Sequence, residues 1–295
     1  MAQEYLLTVG TFVCIFSILT VSLNILVGYA KQISAGHAAF WGIGAYASAI
    51  LVTRLGLSFW EALPIVILVT ALVGIALGLP SLRVSHDFLV LVTIGLNFIV
   101  VAIFAYFPFF GGSMGITGIP KPAFLGRPLD TLGYFLLSLA FLLVVVVVNF
   151  LFARTWAHLG MEALGQDEVA ARFMGISVPK FKIYAFAISS AFAGVAGALW
   201  AHYLGSVFPE YFGFPRSVEI LAMLVFGGIG TIRGPILGAT LLVILPEYLR
   251  FIEDYRMLVY GGILLIMILV QPMGILGKGS VLYRGFKRIW AAVRR

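Results

Sequence analysis

Charged residues are scarce in this sequence. Only 11% of its 295 residues are charged, whereas 62% are hydrophobic, and the mean hydropathy is +1.09. A soluble domain carries roughly 25% charged residues, so this composition excludes one. Apolar runs of roughly 18 residues or more recur along the chain, and this is the length of a helix that crosses a bilayer. The alternation over about ten residues that is typical of porin strands is missing, so helices remain as the membrane-spanning structure.

The sequence also has almost no cysteine and lacks basic residues at its N-terminus. The chain has one cysteine, Cys14, so a disulfide within the chain is excluded. The first ten residues, MAQEYLLTVG, contain no Lys or Arg before the first apolar run. A cleavable signal peptide normally begins with such a basic flank. We therefore expect no cleavable signal peptide here.

Residue patterns for catalysis, metal binding and nucleotide binding are lacking as well. The four histidines do not belong to clusters with the spacing of metal ligands; they are His37, His86, His158 and His202. No GxxxxGKS or GxxxxGKT loop occurs, and the GIGA and GGIG segments lie in apolar surroundings, where glycines serve packing. We expect no catalytic residue, no metal and no bound cofactor, which disfavours an intramembrane enzyme.

The apolar runs predict an all-α polytopic membrane protein that forms a single domain over residues 1–295. About eight or nine transmembrane or re-entrant helices are expected. The seventh and eighth segments form a pair within 218–249 that either spans the membrane twice or makes one re-entrant hairpin. The nine segments are Leu6–Gly28, Gly36–Thr53, Trp60–Leu79, Phe88–Phe107, Leu132–Ala153, Ile183–Tyr203, Val218–Ile232, Pro235–Leu249 and Met257–Val270.

The distribution of basic residues predicts the orientation. If the polar interval 154–182 is cytoplasmic, thirteen of the 19 lysines and arginines lie on the inner side, as the positive-inside rule requires. The N-terminus is then external, and the basic tail 277–295 is cytoplasmic, where it can contact lipid. This asymmetry explains the net charge of +7 without a nucleic-acid partner. The Gly- and Pro-rich loop 108–131 is external, either as a lid or receptor contact or as a connection packed on the outer face.

Polar groups inside apolar segments are costly in a membrane, so they are candidate functional residues. For His37 the alternatives are a pathway residue or a histidine that is hydrogen-bonded to a neighbouring backbone, and we favour the second. Asn24 and Asn97 are interpreted as interhelical hydrogen-bonding residues. Glu219 is interpreted as a carboxylate at a helix N-terminus. No pair of intramembrane carboxylates occurs, which disfavours transport driven by protons or sodium.

The interval 154–182 contains the pattern of a short amphipathic helix. Asp167 is a suitable N-cap for the segment EVAARFM, which Gly175 ends. Val169 and Phe173 are spaced four residues apart and form an apolar stripe, and Glu168 and Arg172 form a neighbouring charge pair. A helix that binds lipid would be richer in Lys and Arg. The balanced charge therefore favours contact with a protein partner.

Several motifs together resemble a known family. The Glu168–Gly175 segment is similar to the EAA loop of ABC-importer permeases, with one residue inserted between the glutamate and the alanine pair. The chain from about Asn24 to Gly277 resembles the branched-chain amino acid permeases of the LivH/LivM type. GGSMGITGIP is typical of the LivM-type half. The other matching motifs are NILVGYAKQISAGHAAFWGIGAY, DEVAARFMGISVPKFKIYAFAISSAFAGVAGALWA, EILAMLVFGGIGTIRGPILGA and QPMGILG.

Four residues depart from the family pattern. Lys31 and Ala35 stand where the family usually has Gly and Leu, and His86 and Asp87 replace a pair similar to Gly-Tyr. The resemblance implies import of branched-chain amino acids. Because of these departures, other amino acids, urea or short amides stay open as substrates. A secondary transporter that works alone is the alternative mechanism.

The resemblance also implies partners and site residues. An importer of this kind contains a LivH-type permease, two P-loop ATPases that hold ATP and Mg²⁺, and an external solute-binding protein, in a bacterial or archaeal cytoplasmic membrane. The predicted ATPase-coupling residues are Asp167, Glu168, Val169, Ala170, Ala171, Arg172, Phe173 and Gly175. The predicted translocation path is lined by Gly36, His37, Gly42, Gly44, Tyr46, Glu219, Gly227, Gly228 and Gly230.

Overall fold

The fold is almost entirely α-helical. The computed structural model of the protein describes residues 2–82, 84, 86–124, 127–248, 261–262, 265, 269 and 274–277. Nearly all of the basic tail and most of the ninth predicted segment, Met257–Val270, lie outside the described residues. The ten helices of the described part are α1 Ala2–Leu23, α2 His37–Leu55, α3 Phe59–Ser81, α4 His86–Tyr106, α5 Thr131–Phe152, α6 Trp156–Gln166, α7 Glu168–Phe173, α8 Val178–Leu204, α9 Phe214–Gly227 and α10 Arg233–Tyr248.

Six of these helices are long and apolar enough to cross a membrane: α1, α2, α3, α4, α5 and α8. The first continues without a break into a π-helix, Asn24–Tyr29. α9 and α10 have 14 and 16 residues, or roughly 21 and 24 Å at 1.5 Å per residue. The protein is therefore an all-α polytopic membrane protein. Each of the first eight predicted segments overlaps one of its helices, but Val218–Ile232 extends past the end of α9 at Gly227.

Capping residues explain where several helices begin and end. Ser58 and Glu61 form a reciprocal capping box at the start of α3. Asp130 accepts a hydrogen bond of 2.7 Å from the Gly133 amide at the start of α5. A glycine in the left-handed conformation follows α2. Local sequence chemistry thus sets these boundaries before tertiary packing is considered.

α8 lies at the centre of the bundle and packs against α1, α2 and α3. Small residues permit this close packing. A Cβ added at Gly44 of α2 would lie 2.6 Å from the carbonyl oxygen of Gly194 of α8, and one added at Gly197 would lie 2.6 Å from the Ala45 amide nitrogen. The backbones of α2 and α8 are therefore in direct contact.

α10 runs antiparallel to α1 along most of its length. The Thr20 hydroxyl donates a 3.0 Å hydrogen bond to the Pro235 carbonyl, near the start of α10. At the other end, the Tyr5 hydroxyl donates to the Glu247 carboxylate. These contacts place the first and last complete helices of the described chain side by side.

The predicted loop 108–131 packs on one end of the bundle. It contains two 3-10 turns, Pro108–Phe110 and Gly112–Met114, and the two-residue strands β1, β2 and β3. β1 pairs with β4 of the α8–α9 connection, where a third 3-10 turn precedes α9; β2 pairs with β3. These strands are Ile116–Thr117, Ala123–Phe124, Arg127–Pro128 and Ser206–Val207. The loop therefore packs against the helix ends, and its role as a lid or receptor contact stays a prediction.

The packed loop is also tied to the helices by side chains. His202 Nδ1 lies 2.6 Å from the Pro120 carbonyl oxygen, and its Nε2 lies 3.0 Å from the Ser48 hydroxyl. The Trp60 indole donates a 3.0 Å hydrogen bond to the Ala123 carbonyl. His202, a polar residue inside an apolar segment, therefore has a partner for each of its ring nitrogens.

Candidate coupling and translocation sites

The predicted short helix is present as α7, and its ends follow the predicted chemistry. The Asp167 carboxylate accepts hydrogen bonds from the amides of Val169, at 2.8 Å, and Ala170, at 3.0 Å. Gly175 ends the element with φ +80°, a conformation that costs little only for glycine. The cap and the glycine thus define a single rigid turn between α6 and α8.

One side of α7 is apolar and uncovered by other described residues. Val169 is 64% exposed and Phe173 is 87% exposed. Ala170 and Arg172 are exposed beside them, whereas Ala171 is buried toward the bundle. An uncovered apolar face of this kind is what the predicted contact with a protein partner requires. We call Val169 and Phe173 the docking stripe.

The partner of Glu168 differs from the prediction. We predicted a pair with Arg172, but the cation in contact with Glu168 is Lys182 in the second turn of α8, with a distance of 2.5 Å between Nζ and Oε1. A spacing of four residues on a helix brings Glu168 and Arg172 near each other. Lys182 reaches Glu168 only through tertiary packing. Glu168 therefore lies toward the bundle and not on the rim of the docking stripe.

α6 was missed by the sequence analysis. Thr155 caps its first turn by accepting a hydrogen bond from the His158 amide. Its inner face holds Gly160, where an added Cβ would lie 2.5 Å from the Phe181 ring of α8. The signal was available, because Thr155 is a good N-cap and Trp156, Gly160 and Ala163 follow helical spacing. We read this stretch only as part of a polar interval.

α6 contacts the π-helix that ends α1. The Tyr29 hydroxyl donates a 2.9 Å hydrogen bond to Asn149 Oδ1, and the Tyr29 ring meets the His158 ring edge-on with centroids 4.4 Å apart. A Cβ added at Gly165 would lie 2.5 Å from Cγ of Lys31. Lys31 has φ +53°, a left-handed conformation that glycine adopts at lower cost. π-helical turns frequently occur at functional sites.

The first group of predicted path residues lies at the start of α2. Gly36 lies just before the helix and is closely packed. A Cβ added at Gly36 would lie 2.8 Å from the Thr93 carbonyl carbon. His37 is fully buried, and its Nε2 lies 2.7 Å from the Ser22 hydroxyl. We favoured a backbone partner for His37, and this was wrong: the partner is a side chain of α1. Among the described residues, Nδ1 of His37 has no hydrogen-bond partner.

Farther along α2, the predicted path residues contact other helices directly. Gly42 packs on the Phe212 ring, and Gly44 packs on Gly194. Tyr46 stacks on Phe104 with centroids 4.0 Å apart. It also lines an apolar cleft of about 490 Å³ between α2, α3 and α4. A zwitterionic amino acid would find no polar partner in this cleft, so we do not assign it as the substrate site.

The second group lies on α9 and the turn before α10. An added Cβ at Gly227 would lie 2.6 Å from the Gly234 carbonyl carbon, and one at Gly228 would lie 2.5 Å from the Gly277 amide nitrogen. Glu219 accepts a 2.7 Å hydrogen bond from Arg216 Nη1. It lies in the second turn of α9, so our interpretation of it as a carboxylate at the very start of the helix was wrong.

Asn24 joins the π-helix to the α9–α10 turn. Its carboxamide oxygen accepts a 2.8 Å hydrogen bond from the Gly230 amide, and its nitrogen donates at 2.9 Å to the Thr231 carbonyl. Asn97 of α4 similarly donates at 3.1 Å to the Phe212 carbonyl. Both asparagines thus bond to a distant segment, but the predicted interhelical bonds were wrong in detail: the partners lie in the connections on either side of α9 and not in another α-helix. Whether substrate passes between the two groups of glycines stays a prediction.

We expect Asn24→Ala to destabilise the bundle by about 1–3 kcal/mol, because it leaves two half-buried backbone groups without their partner. The measurement is the midpoint of denaturation of the purified protein in detergent. Ser138→Ala is the matched control: Ser138 is buried, and its hydroxyl lacks a hydrogen-bond partner among the described residues. Equal stability of the two variants would show that the Asn24 hydrogen bonds contribute nothing.

Comparison with known proteins decides the family. The family described as "Branched-chain amino acid transport system / permease component" matches residues 5–268. The chain belongs to this family. It is 38% identical over 298 aligned residues to the high-affinity branched-chain amino acid transport system permease protein LivM of Salmonella typhimurium, covering 91% of this chain and 69% of the relative. The LivM protein of Escherichia coli matches equally over the same shares.

LivH proteins are also similar to this chain. The match to the LivH protein of Escherichia coli has 33% identity over 123 residues, or 40% of this chain and 39% of the relative. No solved structure matches the chain. The LivM-type resemblance that the motifs indicated is thus confirmed. In the described part of the chain, no group of three or more His, Cys, Asp or Glu residues is arranged to hold a metal ion.

Proposed function

We propose that the chain is the LivM-type permease subunit of an ABC importer that carries branched-chain amino acids. The observation that carries this proposal is the docking stripe: an apolar, exposed face on a capped helix, at the end of the bundle where α5 ends and α8 begins. A carrier that works alone has no use for such a face. The family is one of multi-pass inner-membrane permeases, and six apolar helices agree with this.

The proposed assembly contains a LivH-type permease, two P-loop ATPases and an external solute-binding protein. The ATPases bind ATP and Mg²⁺, and this chain performs no catalysis. The coupling residues are the eight predicted ones between Asp167 and Gly175, within the cytoplasmic loop 154–182. The N-terminus is external and the tail 277–295 is cytoplasmic, because this orientation puts the docking stripe on the side of the ATPases. Small residues at 36–46 and 227–230 give the helices room to rearrange around the substrate.

The test is uptake of radiolabelled leucine into proteoliposomes that contain the two permeases, the ATPases and the binding protein. We expect uptake with trapped ATP and none with a proton or sodium gradient alone, because the ATPase subunits move only when they close on bound nucleotide. A complex with the P-loop lysine of the ATPases replaced is the control. Gradient-driven uptake by this chain alone would overturn the importer and favour a secondary transporter. Equilibrium binding of leucine, urea and short amides to the binding protein separates the candidate substrates.

A further inference from the structure

Lys182 is a charged residue in an environment where charge is costly. Its side chain is 5% exposed, although it lies in the second turn of a membrane helix. Fully buried lysines are rare unless they are paired. The partner here is Glu168, whose carboxylate lies 2.5 Å from Nζ and is 27% exposed. Removing Glu168 would take away the carboxylate that compensates the buried Lys182 charge, so this contact helps to hold α7 against α8.

The pair connects two elements with different neighbours. Glu168 begins α7, whereas Lys182 belongs to α8. α7 has only six residues, and an isolated helix of this length is unstable in water. Its position therefore depends on anchoring contacts. On its inner side these contacts include the buried Ala171 and the ion pair.

The docking stripe and the ion pair divide α7 into two faces. Val169 and Phe173 are exposed to a partner, while Glu168 and Ala171 face the bundle. A force applied to the stripe must reach the bundle through the inner face. Beyond Lys182, α8 contacts α2 at Gly194 and Gly197 through backbone atoms. It also contacts α3, where a Cβ added at Gly74 would meet Ser190. Closely packed backbones are hardly compressible, so they transmit a displacement from one helix to the next.

We propose that the Glu168–Lys182 ion pair is the joint that transmits movement of α7 to α8, and that Lys182 is a positioning residue for transport. The inference rests on the proposed function, because it assumes that ATPase subunits move α7. It differs from the sequence-based role of Glu168, which we predicted as an ATPase-coupling residue paired with Arg172. In the geometry, Glu168 acts through Lys182 and not on the partner.

The test compares Lys182→Met, Glu168→Gln, the neutral double variant and the exchanged double variant Glu168→Lys with Lys182→Glu. Each is assembled with the LivH-type permease, the ATPases and the binding protein in proteoliposomes. The readouts are leucine transported per ATP hydrolysed, retention of the ATPases during purification, and the thermal denaturation midpoint of the complex. Lys180→Met is the matched control, because Lys180 is an exposed lysine two residues earlier on the same helix.

We expect Lys182→Met and the neutral double variant to retain the ATPases but to transport about tenfold less leucine per ATP, the size of a typical coupling between sites. The exchanged pair should recover part of the ratio, and Lys180→Met should equal the unaltered protein. If the single variants do not accumulate in the membrane, the neutral double variant and the exchanged double variant test the inference. A neutral double variant with an unaltered ratio overturns the inference, as does a defect in Glu168→Gln that Lys182→Met does not share.

The same experiment separates this inference from the proposed function. If the unaltered chain retains no ATPases, or takes up leucine without ATP, the proposed function fails and the inference fails with it. If the unaltered complex is coupled and the pair can be neutralised without loss, only the inference fails.

Discussion

Phe173→Asp should release the ATPase subunits from the purified complex while the chain itself stays folded in the membrane. The substitution puts a charge at the centre of the docking stripe, where the side chain is 87% exposed in the chain alone and would be desolvated in the complex. Truncating an aromatic anchor of an interface costs about 2–4 kcal/mol, or roughly thirtyfold to a thousandfold in affinity. Pull-down of the ATPases with a tagged permease measures the loss.

The control for this variant is Phe124→Asp. Phe124 is also an exposed aromatic residue, but it lies on the two-residue strand β2 in the loop at the opposite end of the bundle. It should leave ATPase retention unchanged. Because Phe173 makes little contact within the chain, both variants should accumulate in the membrane at similar levels. A Phe173→Asp complex that stays intact and couples ATP to transport would show that the stripe is not the contact.

Gly44→Leu should strongly destabilise the helix bundle. An added Cβ would lie 2.6 Å from the Gly194 carbonyl oxygen, and backbone atoms cannot move aside as a side-chain end can. α2 and α8 would have to separate along their most closely packed stretch. Overpacking in a dense interior costs about 1–3 kcal/mol and occasionally more; we expect the upper end. The measurement is the fraction of protein that stays monodisperse after mild heating in detergent.

Gly95→Leu is the matched control for this prediction. Gly95 lies in α4, also a membrane-spanning helix, but a Cβ added there meets no atom within 4 Å. Leucine also favours a helix more than glycine does, so this variant should be at least as stable as the original protein. Equal losses for both variants would mean that glycine itself, and not the α2–α8 contact, is what the bundle requires.

The sequence predicted most of the helices because apolar length and capping residues are local properties. α7 is the clearest case, since Asp167 and Gly175 specify its two ends within nine residues. α6 was overlooked because its cap and its apolar spacing lie among polar residues that were read as loop. The membrane-crossing helices were found from composition alone, but their packing order was not.

The errors concern contacts between distant segments. Glu168 pairs with Lys182 and not with Arg172, and His37 bonds to Ser22. In both cases the local pattern offered a reasonable partner, but the true one comes from another helix. The glycines predicted to line a path were found from composition, yet their role in helix contact depends on which helix faces them. No periodicity in a single sequence carries that information.

The placement of α1 affects how the protein is assembled in the membrane. The helices that cover α1 are α5, α8, α9 and α10, and α5, the earliest of them, begins at Thr131. Newly synthesised α1 is therefore exposed to lipid until these later helices have been made. Several of its hydroxyl groups are suited to this delay. Thr11, Thr20 and Ser22 all donate to carbonyls of α1 itself, so the helix needs no neighbour to satisfy these groups.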